Sequence, residues 1–303
     1  MLKREWRISM KEDHILLKLW RIIYPGLIYL TISFGVGMGA LILIMIMKRA
    51  SLTSQVLTAE QINRFTEEVM TMYFKNTLLI TILSSVITIP FLYFFFARDI
   101  KLQKKRGTYE KYVITDKRNI IFVVISAIFS CIGFNLLLEL SHLGEIFKGF
   151  SELAQYMFDQ NIWLEIIAMV VMAPIVEELL FRGLIYKRCQ DYWGEKIAIV
   201  VSALIFGLYH MNVVQGIYAF CLGCVLAFMY MKFKNLWIPI LFHGIANGIS
   251  VLISECSYVT KFFELLSSEL IYEILFTICM LGGLIVILYK MYPREFAEIT
   301  KND

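Results

Sequence analysis

Long apolar runs recur along the chain, and short polar segments separate them. A helix needs about 20 apolar residues to cross the hydrocarbon core of a bilayer. Runs of that kind occur near residues 22–47, 77–97, 119–140, 162–181, 197–213, 216–231, 236–253 and 271–290. This pattern predicts an all-α, polytopic membrane protein with about eight transmembrane helices. The fifth and sixth runs are separated only by a tight turn, which we expect near residues 213–216.

Composition supports a protein whose solvent is largely lipid. Of the 303 residues, 59% are hydrophobic and 18% are charged. A soluble domain of this length has no interior large enough to bury so much apolar surface. The first run follows a charged stretch and is too long for the apolar part of a signal peptide, so we expect it to be the first membrane span. The net charge is +4 and the basic residues are scattered, so nucleic acid is not an expected partner.

The basic residues predict the orientation of the chain, because cytosolic loops are enriched in Lys and Arg. If the N-terminus is cytosolic, 23 of the 29 Lys and Arg residues fall on the cytosolic side and six on the other side. The largest group lies between the second and third runs, from Arg98 to Arg118. We therefore expect a multi-pass protein with both termini in the cytosol, in the cell membrane if the host is bacterial.

The outer loop from Leu52 to Asn76 has a pattern of its own. Thr58 and Gln61 have the spacing of a capping box, which closes the N-terminal end of a helix. Apolar residues follow at helical intervals: Ile62, Phe65, Val69 and Met72. The pattern predicts an amphipathic helix that lies on the outer membrane surface.

Several apolar runs contain groups that are unfavourable in lipid. An ionisable residue inside a bilayer costs roughly 2.5 kcal/mol or more, and such residues usually mark a functional site. Three runs contain ionisable residues, and one of these also contains an amide. They are Glu177, Glu178 and Arg182 in the fourth run, His210 at the end of the fifth, and His243 and Asn247 in the seventh. Taken singly, each can be explained as a helix-helix contact. Together they exceed what packing requires, and they predict a polar site shared by three helices.

Helical spacing sorts these residues into pairs. Glu178 and Arg182 are four residues apart and can form an ion pair, while Glu177 points about 100° away and is free to face a cavity. His243 and Asn247 are also four residues apart, so they project side by side. We predict an active site built from Glu177, Glu178, His210, His243 and Asn247, with Arg182 as structural support.

These residues resemble the signature motifs of a known family. Glu-Glu-x-x-x-Arg, Phe-x-x-x-His at Phe206 and His210, and His-x-x-x-Asn resemble the CAAX protease and bacteriocin-processing family of intramembrane proteases. The group is also called the abortive-infection or type II CAAX prenyl endopeptidase family. The resemblance covers about residues 162–253, which we expect to form the catalytic core. Residues 1–161 would form an N-terminal membrane region, and residues 254–303 the last span and a cytosolic tail.

The resemblance implies a fold and a mechanism. It implies eight helices with an active-site cavity among the fourth to seventh spans. Glu177, with His210, would activate a water molecule, and His243 and Asn247 would stabilise the oxyanion. The expected substrate is a membrane-associated or lipidated peptide, cleaved at the lipid bilayer.

Two questions stay open at the level of sequence. Members of the family are often classed as metalloproteases, and Glu177, His210 and His243 could bind a divalent metal such as zinc. No H-E-x-x-H motif is present, so a metal-free, glutamate-dependent mechanism competes with it. The alternative function is a non-catalytic scaffold, an immunity protein or a transporter. The chain shows neither the polar path nor the paired halves that are typical of a transporter.

Overall fold

The described part of the chain is built from α-helices, and no strand occurs in it. A computed structural model describes residues 14–50, 58–110, 117–146, 161–267 and 269–291. The helices are α1 (Ile15–Ala50), α2 (Ala59–Lys75), α3 (Thr77–Lys105), α4 (Lys117–Leu140), α5 (Leu143–Ile146), α6 (residues 162–193), α7 (Glu195–Tyr209), α8 (Val213–Phe233), α9 (Trp237–Glu255), α10 (Ser257–Ser267) and α11 (Leu270–Met291). The all-α prediction is confirmed.

Six of the described helices are long and apolar enough to cross a membrane, namely α1, α3, α4, α8, α9 and α11. Large apolar side chains such as Phe34, Phe94 and Leu208 are exposed on the outer faces of the bundle, as expected for a surface in contact with lipid. The fourth and fifth predicted spans correspond to α6, which is irregular, and to α7, which has only 15 residues. A total of eight spans therefore stays a prediction.

The turn between the fifth and sixth predicted spans lies earlier than the sequence pattern indicates. Helix α7 ends at Tyr209, and α8 already begins at Val213. The Asn212 side chain accepts a hydrogen bond from the Gln215 backbone N–H at 3.1 Å, which caps the first turn of α8. The predicted turn at residues 213–216 is therefore wrong, because this cap starts the helix before its apolar run begins.

Helices α7 and α8 pack closely because glycines line their contact. A Cβ atom added to Gly207 would lie 2.7 Å from the Gly216 carbonyl oxygen, and one added to Gly216 would lie 3.0 Å from the Gly207 oxygen. Gly223 likewise lies against Ala203. Small residues are the usual means by which membrane helices come into close contact. The short α7 is thereby held against a full-length neighbour.

The two amphipathic helices outside the bundle differ in how well the sequence predicts them. The predicted capping box of α2 is confirmed: Gln61 N–H donates to Thr58 Oγ1, and Thr58 N–H donates to Gln61 Oε1. Lys48 near the end of α1 pairs with Glu68 of α2 at 2.8 Å. Helix α10 is not predicted by the sequence pattern, which leaves residues 254–270 outside any span.

The opposite end of α1 meets the C-terminal ends of α3 and α6. The Tyr24 hydroxyl accepts hydrogen bonds from Arg98 at 2.8 Å and from Arg188 at 2.9 Å. Arg188 also pairs with Asp99 at 2.8 Å and donates to the Arg21 carbonyl. We call this region the basic end of the bundle. The three helix ends that meet here are the ones that the distribution of Lys and Arg assigns to the cytosolic side of the membrane.

Candidate active site

Helix α6 changes its hydrogen-bond pattern around the two glutamates. Regular α-helix over Ile162–Glu165, Ala173–Glu178 and Lys187–Trp193 alternates with π-helix over Ile166–Met172 and Leu179–Tyr186. π-helical turns are rare and frequently lie at functional sites. Glu177 and Glu178 therefore stand on a short α-helical segment between two π-helical segments.

Pro174 explains how Asn247 is held. In the first π segment the Ala173 N–H donates to the Ala168 carbonyl, five residues earlier. In the same register the Met169 carbonyl would pair with the N–H of residue 174, which proline lacks. The Asn247 side chain donates its Nδ2 to this Met169 oxygen at 2.8 Å. A carbonyl that α6 leaves open therefore fixes the Asn247 amide on α9.

Gly244 allows α9 to approach this open stretch of α6. A Cβ atom at Gly244 would lie 2.8 Å from the Val170 carbonyl oxygen, which is too close for any other residue without displacement of the backbone. The next residue towards the N-terminus is His243, which the close approach brings opposite the glutamates. The pairing of α6 with α9 thus depends on a proline in one helix and a glycine in the other.

Arg182, Glu178 and His243 form a buried chain of charge-assisted hydrogen bonds. Glu178 Oε1 accepts from Arg182 Nη1 at 2.8 Å and from His243 Nδ1 at 2.9 Å. The second Arg182 nitrogen, Nη2, donates to the Gly223 carbonyl at 3.0 Å. Glu178 and Arg182 are both fully buried. The ion pair expected from their spacing is present, and it also orients the His243 ring.

Glu177 faces the other nitrogen of His243. Its Oε2 lies 3.8 Å from His243 Nε2, and its side chain is 12% exposed. The gap is longer than a hydrogen bond, and a water molecule can contact both groups across such a distance. Glu177 is also within electrostatic range of the Tyr29 and Tyr209 hydroxyls. It is the glutamate with a partly open side, as the sequence pattern predicts.

His210 reaches the site through an aromatic contact. Its Nδ1 lies 2.8 Å from the Phe206 carbonyl, so this nitrogen donates and Nε2 is left as the acceptor. The Phe206 ring lies between the two imidazoles, with centroids 4.9 Å from His210 and 5.8 Å from His243. Within the described residues, His210 makes no hydrogen bond or ion pair with Glu177 or Glu178.

Residues beyond the predicted set complete the surroundings of the site. The Arg182 guanidinium lies over the Phe206 ring at 4.7 Å, a cation–π contact. The Tyr209 hydroxyl hydrogen-bonds to that of Tyr29 on α1 at 2.5 Å. Phe206 belongs to a motif and could have been anticipated. Tyr29 carries no signal in the sequence, because it lies in a lipid-facing helix far from the motifs.

The arrangement does not fit the predicted metal set. Glu177, His210 and His243 would all have to converge on one point. Among the described residues, no group of three His, Cys, Asp or Glu side chains is placed to hold a metal ion. The His210 and His243 rings are separated by Phe206. The expectation of a metalloprotease is therefore not supported.

Comparison with known proteins finds a family similarity in the segment that contains the two glutamates. Residues 159–249 match the model described as "Type II CAAX prenyl endopeptidase Rce1-like". This segment is similar to an Rce1-like domain. The match contains all the predicted site residues on α6, α7 and α9. The resemblance based on the three motifs is confirmed for this part of the chain.

Two curated bacterial proteins are similar to the chain over part of its length. One, from Bacillus subtilis strain 168, is named "Putative membrane peptidase YdiL" and is 30% identical over 122 residues, which are 40% of this chain and 50% of that protein. The other, from Lactococcus lactis subsp. lactis strain IL1403, is named "UPF0177 protein YbdI" and is 32% identical over 83 residues, which are 27% of this chain and 44% of that protein.

The comparisons cover only part of each protein. The chain matches about half the length of these curated relatives. No solved structure matches the chain significantly. The six apolar helices and the similarity to a family of membrane peptidases support an integral membrane protein.

Proposed function

We propose that this protein is an intramembrane endopeptidase that cleaves membrane-associated or lipidated peptides. The observation that carries the proposal is the pairing of the Glu177 carboxylate with His243 Nε2 across 3.8 Å, while the buried Glu178 and Arg182 hold the other side of the ring. The Rce1-like domain and the name of the Bacillus subtilis relative support a membrane peptidase. The peptide substrate class is our inference from the resemblance of the motifs.

In the proposed reaction, Glu177 acts as the general base. It takes a proton from a water molecule that attacks the scissile carbonyl, and it returns this proton to the leaving amine. His210 assists through Nε2, the nitrogen that its bond to Phe206 leaves as the acceptor. No step passes through a metal ion, because the residues that the structure describes do not form a set of ligands.

The oxyanion of the tetrahedral intermediate is stabilised from α9. Asn247 has two amide N–H groups, and the Met169 carbonyl occupies one of them. The second can donate to the oxyanion. His243 Nε2, on the side of the ring opposite Glu178, is the second group that we assign to the oxyanion. Donors that the scaffold orients beforehand are the usual means of lowering the barrier of acyl transfer.

The proposal also concerns the orientation of the chain. Both termini lie in the cytosol, as the distribution of basic residues predicts. Residues near the N-terminal end of α1 and the C-terminal ends of α3 and α6 then lie at the cytosolic surface. The active site would then lie inside the cytosolic half of the bilayer.

The decisive experiment replaces Glu177 with glutamine in the host cell. Glu177→Gln keeps the shape of the side chain and removes the base, so we expect the protein to fold normally and cleavage to be abolished. Terminal-peptide proteomics of membranes from wild-type, deletion and Glu177→Gln cells should reveal fragments that occur only in the wild type. Glu60→Gln, at an exposed carboxylate on α2, is the matched control and should retain these fragments. Identical peptide profiles in wild-type and Glu177→Gln cells would favour a scaffold role instead.

A further inference from the structure

The basic end of the bundle contains a cleft with an excess of positive charge. It lies among α1, α3 and α6, has a volume of about 50 Å³, and is lined by five cationic side chains and two carboxylates. The cations are Arg21, Arg98, Arg106, Lys187 and Arg188, and the carboxylates are Asp99 and Asp191. One water molecule needs roughly 10–15 Å³ of such space, so the cleft can admit a small polar group.

An aromatic and apolar groove continues from this cleft. It has a volume of about 500 Å³ and shares Arg21, Arg98 and Leu102 with the cleft. Its other lining residues are Leu17, Trp20, Tyr24 and Phe95. Trp20 and Leu17 are 56% and 46% exposed. Tryptophan and tyrosine are enriched at the level of lipid headgroups, so the groove lies where a membrane surface is expected.

The Tyr24 hydroxyl has a hydrogen atom to donate at the junction of cleft and groove. Its oxygen already accepts from Arg98 at 2.8 Å and from Arg188 at 2.9 Å, which uses both lone pairs. Its own O–H has no acceptor among the described residues. An anion seated here would accept from this hydroxyl and from the Arg98 guanidinium together.

The charges of Arg98 and Arg188 are only partly balanced within the protein. Asp99 is bound at 2.8 Å by Arg188, whose three nitrogens all have partners. Arg98 is left with a longer contact to the same carboxylate at 3.5 Å, and its side chain is 46% exposed. Asp191 is occupied by Lys187 at 3.8 Å. One carboxylate therefore serves two arginines, and Arg98 is the more accessible of them.

We propose that the cleft and groove form a binding site for an anionic phospholipid. The phosphate would accept hydrogen bonds from Arg98 and Tyr24, and one acyl chain would lie along Leu17, Trp20 and Phe95. Basic pockets between the ends of membrane helices are suited to anionic headgroups, and the apolar groove explains why the ligand is a lipid and not a free anion. The site stands apart from Glu177, so the proposal does not depend on proteolysis.

Binding of single lipids to the purified full-length protein tests this proposal. Native mass spectrometry in detergent gives the Kd of the first bound molecule of dioleoyl phosphatidylglycerol and of dioleoyl phosphatidylcholine. We expect the anionic lipid to bind more tightly than the zwitterionic one. Arg98→Gln should weaken phosphatidylglycerol binding about fivefold, which corresponds to one basic residue at a membrane surface. It should weaken phosphatidylcholine binding less, because the choline group already balances the phosphate charge of that lipid.

Controls separate this site from general attraction to charge. Arg64→Gln removes an exposed arginine on α2 and should leave binding of both lipids unchanged. Trp20→Ala, at an exposed position, should weaken phosphatidylglycerol binding through loss of contact with the acyl chain. Equal effects of Arg98→Gln and Arg64→Gln would overturn the proposal. Binding of sn-glycerol 3-phosphate as tight as that of phosphatidylglycerol would show that the site takes a free phosphate, which would also overturn the lipid assignment.

Discussion

Replacing Arg182 with methionine removes a buried positive charge and keeps most of the side-chain volume. The wild-type guanidinium donates to Glu178 and to the Gly223 carbonyl and lies over the Phe206 ring. In Arg182→Met, the Glu178 carboxylate stays fully buried and keeps a hydrogen bond only from His243. The substitution therefore leaves a negative charge in the interior with half of its compensation.

The expected loss of stability follows from this burial. Removal of one partner from a buried ion pair costs about 3–5 kcal/mol. Because the His243 hydrogen bond persists, we place the loss in the free energy of unfolding near the low end, at about 3 kcal/mol. A change of 1 kcal/mol shifts the Tm of a large domain by roughly 2 °C, so Tm should fall by about 6 °C.

The assay is thermal unfolding of the purified protein in one detergent, followed by intrinsic fluorescence. The chain offers a matched control, because Glu60 and Arg64 form an ion pair of the same residue types and spacing on the exposed face of α2. Exposed pairs contribute little to stability, so Arg64→Met should leave Tm unchanged. The double variant Glu178→Gln/Arg182→Met should be more stable than Arg182→Met alone, because the side chains at positions 178 and 182 are then both uncharged. Equal Tm values for Arg182→Met and Arg64→Met would refute the reasoning.

The remaining predictions concern the oxyanion, the metal and the topology. Asn247→Ala should lower the cleavage rate about 100- to 1000-fold without abolishing it, as loss of one oxyanion donor does; full activity in a peptide-cleavage assay would remove Asn247 from the mechanism. A strong chelator should leave cleavage unchanged, since the described residues form no metal-binding set; loss of activity that zinc restores would contradict this. Cysteines introduced into the Arg98–Arg118 loop should react with a membrane-impermeant reagent only after the cells are opened. Labelling in intact cells would show that the loop lies outside the cell and that the proposed orientation is wrong.

Local spacing predicts part of the site well. The pairing of Glu178 with Arg182 depends only on positions four residues apart on one helix, and the structure contains it. The capping box of α2 is equally local. Such contacts can be predicted because one helical turn determines both partners, whatever the rest of the chain does.

Contacts between distant helices could not be predicted in the same way. The π-helical segments of α6 have the same apolar character as regular helix, so the hydrophobic pattern does not distinguish them. Pro174 indicates that a carbonyl is left open, but its partner Asn247 lies 78 residues from Met169. Tyr29 reaches Tyr209 over a still longer separation, and α1 shows no polar pattern that would indicate this contact.

The site residues on α7 and α9 share one arrangement, in which the scaffold holds one end of each side chain. His243 is held at Nδ1 by Glu178, and His210 at Nδ1 by the Phe206 carbonyl. Asn247 is held through one N–H by the Met169 carbonyl. In each case a second polar atom, Nε2 or the other amide N–H, makes no hydrogen bond within the described part of the chain. Unpaired polar atoms in a membrane interior are unfavourable, and side chains that serve only packing would use both ends. This pattern therefore supports a site that completes its hydrogen bonds with a water molecule and a peptide.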